Sequence, residues 1–274
     1  GLKFLDYLQG FFAISIFDLK KNKLILAVDR IGNKNIYYNY SNKKIFFCSE
    51  QSYMFKSGFL KFEINQNKVD EHIVFGDIAG SQTLHKNILK LQPGEVLEYD
   101  FTNIELHSYY KLDKFVINYD NSKKRTNLKD SIEEIKNTIT TTINTWTNNC
   151  AYKKSILLSG GIDSGLIATL LSHKTKKLTS YTAKFPSYSS NNSYNEESEI
   201  SELVKDYNIE KNMINCSEEA LLNGLSEIYS SFNEPSPSNS LLLNNLTMGM
   251  SKKNNQRICF TGDGADEVFG GYER

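Results

Sequence analysis

The sequence predicts an α/β protein in two parts: a parallel sheet covered by helices in the C-terminal half, and an antiparallel β region before it. Three observations carry this. Residues 155–158, 178–183 and 257–260 are short apolar runs of buried-strand type, separated by segments of helical periodicity. Two of these runs end in glycine turns that open helices, at Gly160-Gly161 and at Gly262-Asp263-Gly264. Residues 11–47 instead show strands joined by short turns. Strands alternating with helices build a parallel sheet covered on both sides. Such sheets bind ligands at the carboxyl ends of their strands, where both glycine turns fall.

Residues 11–17, 23–29, 36–40 and 44–47 read as strands, with Lys20-Lys21-Asn22, Gly32-Asn33 and Ser41-Asn42 as the turns between them. Consecutive strands with short links predict an antiparallel meander. Cys48 falls within a strand pattern and reads as a buried, inert thiol. Lys123-Lys124-Arg125 reads as a solvated linker. Behind it Leu128, Ile132, Ile135, Ile139, Ile143 and Trp146 recur at three- or four-residue steps, a helical stripe of core type.

Ser155-Ile156-Leu157-Leu158 is the strand that leads into the first glycine turn. Two glycines in a row let the backbone turn sharply and bring bare N–H groups near an anion. Asp163 and Ser164 then open a helix with Leu166, Ile167, Leu170 and Leu171 at core spacing. A helix start after a glycine turn is an anion site, and Ser159 and Ser164 add hydroxyl donors. Asp163 would repel a phosphate unless a cation sits between them, which implies Mg²⁺. The loop is not a Walker loop, which requires lysine after its second glycine.

Further along, residues 178–183 read as the next strand. Ser193 and Glu196 form a capping-box pattern before a helix carrying Ile200, Leu203, Val204 and Tyr207. Met213-Ile214 reads as a short strand. Ser217 caps a helix with Leu221, Leu222, Leu225, Ile228 and Tyr229 on one face, and residues 241–250 read as another helix. Residues 188–195 read as a loop rich in Ser and Asn. The second glycine turn follows the strand 257–260 and places Asp263, Asp266 and Glu267 within one helical turn. Carboxylates so close raise one another's pKa unless a metal or cation neutralises them.

Composition narrows the function. Lys plus Arg and Asp plus Glu each number 32, so the formal net charge is zero. That argues against nucleic acid as a partner, because phosphate backbones demand a basic surface. The four cysteines form no C-x-x-C pair, and the four histidines show no metal-ligand spacing. No apolar run is long enough for a membrane span. Lys3 and Asp6 interrupt any signal-peptide core. A cytoplasmic protein without a membrane partner is the expectation.

The residues now reach a family. Leu157-Leu158-Ser159-Gly160-Gly161-Ile162-Asp163-Ser164 resembles the PP-loop, S-G-G-x-D-S, of enzymes that cleave ATP between its α and β phosphates. Residues 261–274 resemble the S-G-D/E-G-x-D-E-x-F-G-G-Y signature of glutamine-dependent asparagine synthetases. The N-terminal half is similar to the closing part of a class II glutamine amidotransferase domain. Gly10-Phe11-Phe12-Ala13, Phe17-Asp18, Asp29-Arg30-Ile31-Gly32-Asn33-Lys34, Tyr37-Tyr38 and Cys48-Ser49-Glu50 carry that likeness. Val28 and Asn35 depart from it, where the family has Arg and Pro. Residues 83–97 resemble the connector between the family's halves.

The resemblance implies a fold: a PP-loop (adenine nucleotide α hydrolase-like) parallel-sheet domain, preceded by the antiparallel β C-terminal part of an Ntn-type glutaminase domain. Its implied boundaries are residues 1–112 and 113–274. It implies that Ser159, Gly160, Gly161 and Ser164 hold pyrophosphate and that Asp163 and Asp266 ligate Mg²⁺. Leu158, Ala183, Thr261 and Gly262 would line the adenosine site, partly by backbone, and Asp263 would orient or deprotonate the nucleophile beside an acyl-adenylate. The implied cofactors are ATP and Mg²⁺. The implied substrates are glutamine or ammonia and a carboxylate, aspartate if the product is asparagine, with a homodimer as the candidate assembly. A sugar, a peptide or an internal amine of β-lactam synthetase type remain alternative acceptors, and a catalytically inactive relative remains open. The family follows Glu234-Pro235 with an acidic residue, whereas this chain has Ser238. The family's N-terminal cysteine nucleophile and its C-terminal catalytic lysine have no counterpart here, so the chain reads as an internal part of a longer protein.

Overall fold

The computed structural model describes residues 1–112, 127–148, 150–184, 197–232, 234–235 and 240–272. The basic run 123–125, the loop 188–195, the capping box at Ser193 and Glu196, and Ser238 lie outside the described residues. The chain divides into two compact units: residues 1–123 with 227–238, and residues 124–226 with 239–274.

The first unit is antiparallel. Strands β1 (Ala13–Asp18) and β2 (Lys23–Val28) form a hairpin. β3 (Tyr37–Ser41) and β4 (Lys44–Cys48) form a second one. Helices α1 (Ser52–Lys56) and α2 (Gln66–Phe75) follow, then β5 (Leu89–Lys90), β6 (Glu95–Tyr99) and β7 (Ile104–Ser108). The expected meander is not formed. The hairpins belong to different sheets, ordered β1-β2-β6-β7 and β4-β3-β5.

The physical reason is Asp29, 1% exposed at the end of β2. Its carboxylate accepts hydrogen bonds from the backbone N–H of Phe12, Ile31, Asn33 and Lys34 at 3.0–3.2 Å. Its carbonyl accepts from Gly32 and Gly94. Satisfying so many donors at one point curls residues 29–34 into a turn, so β3 leaves β2 and β6 takes its place. β2 is apolar at every position from Leu24 to Val28 because its two faces serve two cores. Leu26 and Val28 pack with Tyr38, Leu91 and Leu97, while Ala27 packs with Leu5 and Val96.

The second unit holds a parallel sheet ordered β10-β9-β8-β11. Its strands are β8 (Lys154–Leu157), β9 (Thr179–Lys184), β10 (Glu210–Asn215) and β11 (Ile258–Phe260). Between them run α4 (Ile162–Ser172), α5 (Glu197–Asp206), α6 (Glu218–Phe232) and α7 (Ser240–Lys253), and α3 (Leu128–Asn148) precedes them. Ser217 caps α6 as expected: its Oγ accepts from the Ala220 N–H at 3.2 Å. β10 is longer than its two apolar residues suggest, because pairing with β9 from Glu210 to Asn215 carries the polar positions along.

One face of the sheet packs Ile156 and Leu158 against Ala168 and Leu171 of α4 and Ile200 of α5. On the opposite side Ser155 and Ser251 of α7, both at most 2% exposed, share a hydrogen bond of 2.7 Å. The α3 stripe is core only around Ile139 and Ile143, and Trp146 beyond them is 39% exposed. Ile143 is 6% exposed and Ile139 packs beside it, but Leu128 is 73% and Ile132 54% exposed. Spacing placed these residues on one face; it did not determine how far a neighbour extends along it. Among the described residues, no helix is long and apolar enough to cross a membrane.

Replacing Asp29 with Ala would leave four backbone donors without their acceptor inside the first unit. We expect a destabilisation on the order of 3 kcal/mol, read as a lowered denaturant midpoint. A midpoint within error of the parent would refute this account of the turn.

Candidate functional site

β8 and β11 are neighbours, paired in parallel from Lys154 with Ile258 to Ile156 with Phe260. From β8 the chain moves outward through α4 to β9 and through α5 to β10. It then returns to pair β11 on the free side of β8. This reversal of strand order makes a switch point at the carboxyl ends of β8 and β11. Both glycine turns leave from there.

The returning strand is three residues long and is fixed by polar side-chain links that are buried at Ser155, Ser251 and Tyr181. Ser155 and Ser251 join β8 to α7. The Tyr181 hydroxyl of β9 donates to Gln256 Oε1 at 2.6 Å and accepts from Asn254 Nδ2 at 2.7 Å, holding the turn between α7 and β11. Tyr181 is 1% exposed, so breaking these bonds would strand polar groups away from water.

After β8, the loop of residues 158–161 is closed by its own hydroxyls. Ser164 Oγ donates to the Ser159 carbonyl at 2.9 Å, and the Ser159 N–H donates back to Ser164 Oγ at 3.2 Å. The two hydroxyls lie 2.9 Å apart. Helix α4 starts at Gly161 with no side-chain cap. Its first-turn N–H groups therefore have neither an intrahelical partner nor a capping side chain. Leu158 is buried, and its backbone is engaged with β9: its N–H donates to the Tyr181 carbonyl and its carbonyl accepts from Thr182 Oγ1. Ala183, near the end of β9, is half-buried and opposite Ile214 of β10.

Thr261 and Gly262 follow β11 and are half-buried. A Cβ on Gly262 would lie 2.9 Å from the Ser164 nitrogen and 3.2 Å from Asp163 Cβ. The absence of a side chain here lets the second turn lie directly against the start of α4. The structure thus brings Thr261 and Gly262 to Asp163 and Ser164, across a separation of about a hundred residues in the chain. Helix α8 (Ala265–Phe269) then begins at Gly264. Asp163 and Asp266, each in the first turn of its helix, are half-buried, and Asp263 is exposed. Among the described residues no three or more His, Cys, Asp or Glu side chains gather as a metal cage.

The acidic cluster does not behave wholly as its spacing suggested. Glu267 is held below the usual carboxyl range, chiefly by the Tyr272 hydroxyl, which donates to its Oε1 at 2.7 Å. The same bond raises the Tyr272 phenol. Tyr272 was visible in the sequence only as part of a motif; its bond to Glu267 was not. Cys48 is half-buried, its Sγ donating to the Glu50 carbonyl, and burial pushes its thiol up, away from reactivity. The Glu234 side chain, beside Pro235, accepts from the Leu84 N–H at 3.0 Å within the first unit. Burial and the Glu234 charge push Tyr37 up to about 12.

Residues 152–274 match the asparagine synthase family, and residues 1–110 match the glutamine amidotransferase domain. A putative glutamine-hydrolysing asparagine synthetase 2 of Methanocaldococcus jannaschii is 28% identical over 273 residues, 96% of this chain and 50% of that protein. The glutamine-hydrolysing asparagine synthetase 1 of Bacillus subtilis is 24% identical over 270 residues, 97% of this chain and 40% of its own length. Amidase chry2 of Gibberella zeae is 27% identical over 290 residues, 100% of this chain and 41% of its own. The chain thus spans half or less of the length of these relatives.

Two measurements check the geometry. Gly262→Ala forces the two turns apart and should cost roughly 1–3 kcal/mol as an overpacking change. Gly249→Ala in α7, where an added Cβ meets nothing within 4 Å, should be neutral or stabilising; equal effects would contradict the close approach. Tyr272→Phe should move the Glu267 titration upward in an NMR pH series, and an unmoved curve would remove the hydrogen bond as its cause.

Proposed function

We propose, because the chain belongs to the glutamine-dependent asparagine synthetase family, that the complete protein transfers glutamine-derived ammonia to a carboxylate, with cleavage of ATP to AMP and pyrophosphate. The carboxylate is that of aspartate and the product asparagine. The amidotransferase part occupies residues 1–112 and the synthetase part 113–274. The observation that supports this most is the contact of Gly262 with the start of α4, which joins an uncapped helix start to a carboxylate-bearing turn.

The residues present fit a magnesium nucleotide. Two half-buried carboxylates, with no third His, Cys, Asp or Glu gathered beside them among the described residues, make a poor cage for a free ion. They suit Mg²⁺, which takes one or two carboxylates and fills its remaining positions from phosphates and water. Asp163 and Asp266 would hold that ion, which supplies neutralising charge beside the phosphates. ATP supplies the adenylyl group that activates the carboxylate. Ser159, Gly160, Gly161 and Ser164 bind the leaving pyrophosphate. The positive end of the α4 dipole and its first-turn N–H groups stabilise the charge developing there. The Ser159–Ser164 hydrogen bonds set the loop's shape beforehand, so little reorganisation is needed. Leu158, Ala183, Thr261 and Gly262 face the adenosine. Asp263, exposed on its turn, orients or deprotonates the incoming amine.

The match to the Gibberella amidase, over 100% of this chain and 41% of that protein, supports a second reading, in which the same chemistry serves another carboxylate or amine acceptor. Asp163→Ala and Asp266→Ala in the complete protein should each lower Mg²⁺-dependent ATP consumption by on the order of a hundredfold or more. Parent-like rates in both would end the metal assignment. Nucleotide chromatography after turnover with aspartate and ammonium should show AMP. ADP as sole product would refute the pyrophosphate loop, and AMP formed only with a different carboxylate would establish the second reading.

A further inference from the structure

The second unit carries a further cavity, of about 580 Å³, at the opposite ends of the same strands. Lys153 and Lys154 line it from the start of β8. Lys174, Lys176 and Lys177 line it from the turn between α4 and β9. Glu210, at the start of β10, is the one carboxylate in the lining. In a chain of zero net charge this is a marked local excess of cation.

Part of that charge is already committed. Lys177 pairs with Glu210 at 3.0 Å, and this ammonium holds the Glu210 carboxyl below its usual range. Lys154 Nζ donates to the carbonyls of Cys150 and Tyr152. Lys153, Lys174 and Lys176 are exposed, and among the described residues none of them meets a carboxylate within ion-pair distance. Lys174 follows the C-terminus of α4, where a cation also offsets the carbonyl end of the helix. That account does not reach Lys153 or Lys176. A second observation points the same way: Asn212, on the lining, has a buried Nδ2 with no hydrogen-bond partner among the described residues. An unfilled buried donor among uncommitted ammonium groups is the inverse image of an anion with several acceptor oxygens.

We propose that this cavity is a second anion site, taking a small oligophosphate, separate from the nucleotide site at the carboxyl ends of the strands. A single-stranded nucleic acid is the less suited occupant. The lysines surround a cavity rather than follow a groove, and the one aromatic ring in the lining, Tyr152, has the Arg257 guanidinium over it at 5.0 Å. One of its two faces is thereby taken, and a single remaining face is no platform for successive bases.

The test is calorimetric titration of the complete protein with sodium tripolyphosphate, without Mg²⁺, in a Ser159→Asp background, where a second negative charge beside Asp163 keeps anions out of the phosphate loop and so separates this cavity from it. We expect saturable binding. The triple change Lys153→Gln/Lys174→Gln/Lys176→Gln should weaken it at least roughly tenfold, about 1.4 kcal/mol, while the triple Lys→Arg variant retains it. Asn212→Ala should weaken it by a smaller factor. Binding unaffected by the triple glutamine variant would overturn the proposal, as would no binding in that background. Tighter binding of an RNA oligonucleotide through the same lysines would overturn the choice of occupant. These outcomes do not depend on ATP turnover, so they stand or fall apart from the amide-forming reaction.

Discussion

The site of this protein depends on one close approach, that of Gly262 to the nitrogen of Ser164. Everything around it serves to bring two backbones to within a distance no side chain would allow. β11 is only three residues long and among the described residues pairs with β8 alone, so its own ladder is weak. The Ser155–Ser251 hydroxyl pair and the Tyr181 bonds to Gln256 and Asn254 supply what the ladder lacks. Ser155, Ser251 and Tyr181 are buried, and a buried polar group that loses its partner costs more than the bond itself contributes. The returning strand is thereby held to one register, and the two acidic helix starts are placed side by side.

The first unit follows the same logic with a different device. Asp29 gathers donors from both sides of a turn, and Gly94 completes the junction. Gly94 has φ +68°, and a Cβ there would stand 2.5 Å from the Tyr110 carbonyl oxygen. The Tyr109 hydroxyl donates to the Val28 carbonyl at 2.7 Å, and burial with the Asp29 charge pushes that phenol up to about 12. A proton held so firmly keeps Tyr109 a donor at every physiological pH. The two sheets of this unit thus meet at a polar knot whose donors and acceptors are matched.

Both ends of the parallel sheet carry charge, of opposite sign. Carboxylates cluster where the helices begin and lysines where α4 ends, as the helix dipole favours. The dipole explains the bias in sign. It does not explain the particular groups left uncommitted at either end, and those are where ligand chemistry is to be sought.

The sequence by itself determined the elements of the second unit and the two glycine turns of its candidate site. Strand, glycine turn and helix are local events, each dictated by a few adjacent residues, so Ser159 to Ser164 and Thr261 to Asp266 were legible as a pair of glycine turns that open helices. The alternating strands and helices likewise dictated a parallel sheet. What the tertiary structure decided was adjacency. That β11 returns to the free side of β8 rests on a hydroxyl pair between Ser155 and Ser251 and on the Tyr181 bonds to Gln256 and Asn254, all between residues far apart in the chain. That the first four strands part into two sheets rests on a buried carboxylate reading donors on both sides of it. The exposed half of the α3 stripe and the Tyr272–Glu267 bond are of the same kind. Periodicity determines which face of an element is apolar, but what covers that face is a long-range contact, and no local pattern records it.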